Sequence, residues 1–274
     1  MNYSFFDIHS HLHDKSFDED RDYIIDDMKN KNIGTILVGS DITESKKAVA
    51  LAELHDNLYA TVGLHPTDNM EEIFHEHISE YKELLKSKKV VAIGECGLDY
   101  YRLQEDPGNP RAILDEKLRQ KIIFDAQIKL ALEVNKPLMV HGRPSKGKMD
   151  AYEDMLELLE NYEEKHGEKL QGNAHFFVGN IEIAKRFIDI GFTMSFSGVI
   201  TFASEYEEVV RFIPLEHIHA ETDSPYATPV PNRGKRNDPR NVKDVVAKIA
   251  EIKGEAGEKV REQLLKNARR TFGI

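Results

Sequence analysis

Short apolar runs alternate with longer stretches of helical periodicity along the whole chain. Runs at 3–9, 33–39, 58–63, 90–95, 137–141, 172–177, 192–197 and 217–222 read as strands. Several lack apolar–polar alternation, as expected of parallel strands buried on both faces. Apolar residues recur at helical spacing near 18–31, 43–56, 70–88, 111–135, 149–166, 181–190 and 204–213, then near 239–253 and 256–271. Eight strands, each followed by a helix, predict an α/β fold, a (β/α)8 TIM-type barrel. A doubly wound open sheet is the competing arrangement, and periodicity alone does not separate the two. No Gly/Ser-rich linker, low-complexity tract or short repeat divides the chain, so 1–274 is expected to form one barrel of ordinary size.

Polar residues at or just past the strand ends sharpen this reading. His9, His11, His65, Glu95, His141, His175 and Asp223 all fall there. In a barrel those ends converge on one face, where active sites are built. His9 and His11 are two apart after an apolar strand, so both imidazoles can turn to one side. Glu95 leaves an apolar strand, where a carboxylate is costly to bury unless it is paired or binds a metal. His141 and His175 end later strands, and Asp223 lies just beyond the last, ahead of a Ser-Pro turn. His55, His75, His77, His166, His217 and His219 lie in helices, loops or at a strand start and read as surface or structural residues.

Composition bounds the partners. The chain has 48 Asp and Glu against 37 Lys and Arg, a formal net charge of −11. That balance disfavours a protein that holds nucleic acid by bulk electrostatics. No apolar run approaches the roughly 20 residues that span a bilayer, so no membrane partner is expected. The first residues, MNYSFFDIHSHLHD, lack the cationic and apolar regions of a secretory signal. A lone cysteine, Cys96, excludes an internal disulfide and suits a reducing, cytoplasmic setting; it reads as a small buried residue. Nothing in the chain points to an obligate assembly, and a monomer is expected.

Four histidines, one glutamate and one aspartate make enough ligands for two divalent ions if Glu95 bridges them. Mixed imidazole and carboxylate donors suit Zn, Mn or Fe, with Mg where water and phosphate complete the shell. Two such ions can clamp both oxygens of a displacement and lower the pKa of bound water. No P-loop, dinucleotide fingerprint or nucleophile elbow competes, and metal-assisted hydrolysis is the favoured chemistry.

Several blocks together make the chain similar to the TatD family of metal-dependent deoxyribonucleases, within the wider amidohydrolase superfamily. They are Asp7-Ile8-His9-Ser10-His11-Leu12, Gly63-Leu64-His65-Pro66, Gly94-Glu95-Cys96-Gly97-Leu98-Asp99-Tyr100, His141-Gly142-Arg143, His175, Glu221-Thr222-Asp223-Ser224-Pro225-Tyr226 and Pro229-Val230-Pro231-Asn232-Arg233-Gly234-Lys235-Arg236-Asn237. The resemblance implies a divalent-metal phosphodiesterase acting on DNA. By position, His9, His11, Glu95 and Asp223 would hold one ion, and Glu95, His141 and His175 the other. Glu95 and Asp223 would be the catalytic residues, Asp223 handling the proton of the attacking water. His65, Tyr100, Arg143, Tyr226 and Arg233 would grip phosphate or stack the terminal nucleotide.

The resulting expectation is a 3′–5′ exodeoxyribonuclease on single-stranded DNA ends, with RNA as a further substrate, served by two ions of Mg, Mn or Zn. An amidohydrolase-type enzyme cleaving an amide, lactone or aminoacyl ester, including aminoacyl-tRNA deacylation, would use the same ligands. A metal-stabilised scaffold without catalysis is the remote alternative.

Overall fold

A computed structural model describes residues 3–67, 73–103 and 110–274. Eight parallel strands lie side by side in chain order: β1 (Phe5–Ser10), β2 (Ile33–Val38), β3 (Leu58–Val62), β4 (Val90–Asp99), β5 (Leu138–Arg143), β6 (Gly172–His175), β7 (Thr193–Phe196) and β8 (Ile218–Ala220). Helices α1 (Arg21–Asn30), α2 (Ile42–Leu54), α3 (Phe74–Leu84), α4 (Pro110–Val134), α5 (Asp150–His166), α6 (Ile181–Asp189) and α7 (Glu207–Phe212) connect them, and α8 (Val242–Lys253) and α9 (Gly257–Phe272) follow. The arrangement is the TIM-type barrel. The helix expected at 70–88 is shorter, Phe74–Leu84, and residues 70–72 of that expectation lie outside the described part.

Local chemistry sets the boundaries. Asp41 caps α2 by accepting from the Glu44 amide at 2.7 Å, and Asn180 caps α6 by accepting from Ile183 at 2.9 Å. Gly254 and Gly273 close α8 and α9 in the left-handed conformation that glycine adopts without a Cβ penalty. One apolar layer joins strands to the surrounding helices. A second fills the lower barrel interior, where Phe6, Ile8, Ile36, Val38 and Met139 meet Leu265, Ala268 and Phe272 of α9. With the lower end plugged by α9, the upper rim is left for chemistry.

Two irregularities aim the site. Three steps along β1, Asp7 to Ser10, match two along β2, Thr35 to Leu37. Three steps along β4, Ile93 to Cys96, match two along β5, Leu138 to Val140. An extra residue of this kind re-aims the side chains around it. Both insertions fall beside proposed ligands, His9 in β1 and Glu95 in β4. Glu95 therefore sits within a strand that runs on to Asp99, whereas the sequence reading ended that strand at Glu95.

β8 and β1 meet differently from the other neighbours. The Asp223 amide donates to the His9 carbonyl at 2.9 Å and the His11 amide to the Ser224 carbonyl at 2.7 Å. Below them, the buried Asp7 carboxylate accepts from the Thr222 amide at 2.8 Å, the Thr222 hydroxyl at 2.6 Å and the His9 amide at 3.1 Å. The seam thus closes at the rim, through the residues that carry His9, His11 and Asp223.

Candidate metal centre

The seven strand-end residues converge. Oε1 of Glu95 lies 2.8 Å from His175 Nε2, 2.9 Å from His141 Nδ1 and 3.6 Å from His65 Nε2. Its Oε2 lies 3.4 Å from His9 Nε2. Asp223 Oδ1 stands 3.6 Å from both His9 Nε2 and His11 Nε2. The two oxygens of one carboxylate therefore face two separate donor sets.

Three of the rings and the His65 loop are braced from behind, whereas Nδ1 of His9 is buried without a hydrogen-bond partner among the described residues. His11 Nδ1 meets the Val38 carbonyl at 3.1 Å, leaving Nε2 toward Asp223. His175 Nδ1 lies 3.4 Å from Glu221 Oε1, and Glu221 is itself fixed by the Phe176 amide at 2.9 Å and the Ser195 hydroxyl at 2.6 Å. His141 Nε2 lies 3.2 Å from Asp99 Oδ2. The His65 loop is clamped by Gln127, which accepts from the Leu64 amide at 2.8 Å and donates to its carbonyl at 2.9 Å. Asp223 has a backbone φ of 52°, a left-handed conformation that Asp tolerates better than most residues.

The electrostatics follow from crowding. Burial would raise the Glu95 carboxyl, but the imidazoles of His175, His65 and His9 outweigh it and hold the group well below its usual range. Burial, aided by nearby His175, pushes His9 down to about 4, so its ring is neutral at physiological pH. His141 goes the other way: burial would lower it, yet hydrogen bonds to Asp99 and Glu95 carry it up to about 9. Cys96 is fully buried beside this cluster, and burial raises its thiol far from a reactive thiolate.

The donor set suits divalent cations. His9 Nε2 faces His11 Nε2 at 3.3 Å, and His141 Nδ1 faces His175 Nε2 at 3.4 Å. Ring nitrogens set this close to one another gain little from the contact, whereas a cation between them would give the facing lone pairs a common partner. His9, His11 and Glu95 bring ligand atoms within one ion's reach, as do His65, Glu95 and His141. Nitrogen and carboxylate donors of this kind match borderline transition metals.

A cavity of about 1090 Å³ opens above this floor, walled in part by His65, Arg102, Arg143, Phe176 and Tyr226. The guanidinium of Arg143 stacks on Tyr101 at 4.1 Å from the ring centre. Two residues given a substrate role by resemblance are placed elsewhere. Tyr100 is fully buried, its hydroxyl donating to Asp154 at 2.9 Å and its ring covered by Lys117 at 3.9 Å. It packs the β4–α4 junction, a position that does not suit contact with phosphate. Arg233 lies over Phe202 at 3.6 Å and is not among the described residues lining the cavity, while its neighbour Arg236 is tied to Asp20.

Sequence reasoning passed over Asp99, Glu221 and Arg102. Asp99 and Glu221 carried a legible signal, a carboxylate within or beside an apolar strand, the same that marked Glu95. Arg102 had none, since its place depends on how the loop after β4 folds.

A family model described as "TatD related DNase" matches residues 6–273. The metal-dependent hydrolase YabD of Bacillus subtilis is 38% identical over 98% of this chain and 99% of its own. The 3′-5′ ssDNA/RNA exonuclease TatD of Pantoea ananatis is 31% identical over 98% and 99%. Among solved structures, that of YJJV, a TatD homolog from Escherichia coli, superposes with a TM-score of 0.85 at 26% identity, covering 100% of both chains.

Proposed function

The chain belongs to the TatD-related DNase family of metal-dependent hydrolases, and from that premise we propose that it is a two-ion phosphodiesterase removing nucleotides from the 3′ end of single-stranded DNA or RNA. The observation that carries this reading is the division of Glu95, with Oε1 toward His141 and His175 and Oε2 toward His9. His9, His11, Glu95 and Asp223 would hold one ion, and Glu95, His141 and His175 the second. Bound ions of this kind offset the charge of a phosphate and lower the pKa of an attacking water.

The chain's own residues do the rest. Asp223, at the seam and open to the cavity, accepts the proton of the attacking water. His65 is oriented by the Thr67 amide and hydroxyl, both 3.3 Å from its Nδ1, and its Nε2 points into the centre to meet a phosphate oxygen. Arg143, braced by Tyr101, meets the neighbouring phosphate, and Tyr226, 62% exposed at the mouth, offers a face to the terminal base. The name of the Pantoea ananatis relative supports the polarity and the choice of single strands.

The test is hydrolysis of end-labelled single- and double-stranded DNA and RNA with Mg, Mn or Zn, products being resolved by length. A ladder shortening from the 3′ end, abolished by a chelator and by Glu95→Ala, is expected. Mid-chain products would overturn the exonuclease reading. Absence of any phosphodiester cleavage by folded, metal-loaded protein would overturn the nuclease reading.

A further inference from the structure

An imidazole can ligate an ion only through the nitrogen that has no proton, so whatever binds the other nitrogen decides which one faces the site. For His141 the inward nitrogen is Nδ1, 2.9 Å from Glu95 Oε1 and 3.4 Å from His175 Nε2. Its outward Nε2 meets Oδ2 of Asp99 at 3.2 Å. Asp99 is only 6% exposed and is fixed on every side. Gln120 accepts from its amide at 2.9 Å and donates to its carbonyl at 3.1 Å. The Tyr101 amide donates to Oδ1 at 3.0 Å, which leaves Oδ2 for His141.

We propose that Asp99 is a positioning residue that selects the Nε2–H tautomer of His141 and so presents Nδ1 as a lone pair to the second ion. The proposal rests on the two-ion reading above. The other two rings held from behind offer a less clean test. His11 leans on the Val38 carbonyl, which no side-chain substitution removes. Glu221, behind His175, also serves the Phe176 amide and the Ser195 hydroxyl.

Asp99→Asn is diagnostic because the Tyr101 amide is a donor. That donor claims the asparagine's single oxygen, so the NH2 must face His141 Nε2. An NH2 can only donate, so it draws the ring into the tautomer with its proton on Nδ1, where ligation is blocked. The same side-chain volume then carries the opposite instruction.

The experiment is calorimetric titration of chelator-stripped, full-length protein with Zn²⁺. Wild type should take up two ions. Asp99→Asn should weaken one step by about 10–100-fold, the range for loss of a ligand's outer partner, and leave the other within about twofold. His141→Ala should lose the same step, and adding Asp99→Asn to it should cost nothing more, since both act through one ring. Tyr100→Phe, which removes a neighbouring buried hydrogen bond but not this one, should bind both ions as wild type does. In the Zn-loaded wild type, nitrogen-detected NMR should show His141 protonated at Nε2. This last reading needs no variant, and protonation at Nδ1 instead would overturn the proposal. Two ions bound with unchanged affinity by Asp99→Asn would overturn it too, with the two-ion reading intact. Fewer than two ions in wild type would overturn that reading and the proposal with it.

Discussion

Asp223 combines a strained backbone, an amide spent on the His9 carbonyl and a carboxylate left facing two imidazoles. That separation of duties predicts what Asp223→Asn does. The amide side chain keeps the size and one oxygen donor but is no base, so turnover should fall by about 10²–10⁴ while the fold survives. Single-turnover cleavage of a labelled oligonucleotide alongside a melting curve checks this, and full activity would remove the proton-handling role. His219 illustrates a residue whose burial matters to stability instead. It lies at the plugged lower end, its ring 5.7 Å from that of Phe272, and burial lowers it to about 3. Folded His219 is therefore neutral where the unfolded residue, near 6.5, begins to bind a proton. The stability it contributes is complete above pH 6.5 and is lost as pH falls from there toward 3. The slope from one proton is at most about 1.4 kcal/mol per pH unit. Melting temperatures of His219→Gln between pH 7.5 and 4.5 should fall less steeply than those of wild type.

At the scale of elements, the site depends on how closely β3, β4 and β5 approach. A Cβ on Gly63 would meet the backbone of Gly94 at 2.7 Å, and one on Gly97 would meet the His141 carbonyl at 2.1 Å. Neither neighbour can swing aside, because both are main chain. Gly63→Ala should therefore push β3 from β4 beside Glu95, costing roughly 1–3 kcal/mol as overpacking does. Denaturant unfolding measures the loss, and ion affinity should fall with it; a variant as stable as wild type would show that the strands have slack. The register irregularities in β1 and β4 were the least legible part of the fold. Period-two reasoning paired His9 with His11 correctly as same-face neighbours, but it has no term for an extra residue. It therefore ended β4 at Glu95, where the strand continues to Asp99.

For the whole molecule, closure of the barrel and arrangement of the centre are one event. The Asp7–Thr222 contact joins residues 215 apart in sequence directly beneath His9 and Asp223. Asp7→Asn would set an NH2 against one of three donors that the carboxylate now accepts. An unsatisfied buried group of that kind costs about 1–3 kcal/mol. Melting should drop by several degrees, and ion binding on the His9 side should weaken together with it. The net charge of −11 acts at the same scale. Asp14, Asp41, Glu44 and Glu116 share the cavity wall with Arg102 and Arg143, so the mouth offers few cations to a strand. If those two arginines make the phosphate contacts, log(1/KM) against log salt should slope no more steeply than about −1.4, at roughly −0.7 per contact on single strands. Oligonucleotide kinetics from 50 to 200 mM salt would detect the steeper dependence of a long basic groove.

The alternation of apolar runs and helical stretches determined an α/β chain of eight strands and intervening helices, because strands buried on both faces and helices buried on one leave different periodicities. That the sheet closes into a barrel rather than staying open was decided by contacts between its first and last strands. Chemistry also determined which residues were candidates, since His, Glu and Asp at the ends of apolar strands are too costly to be idle. Tertiary structure alone decided how those candidates divide. It turned the two oxygens of Glu95 to different partners, gave His141 its Asp99 and His175 its Glu221, and placed Tyr100 and Arg233 away from the cavity. Those outcomes depend on one-residue insertions, tautomers and loop paths. These are differences of an ångström or a single proton between residues far apart in the chain, and no local pattern of side chains encodes them.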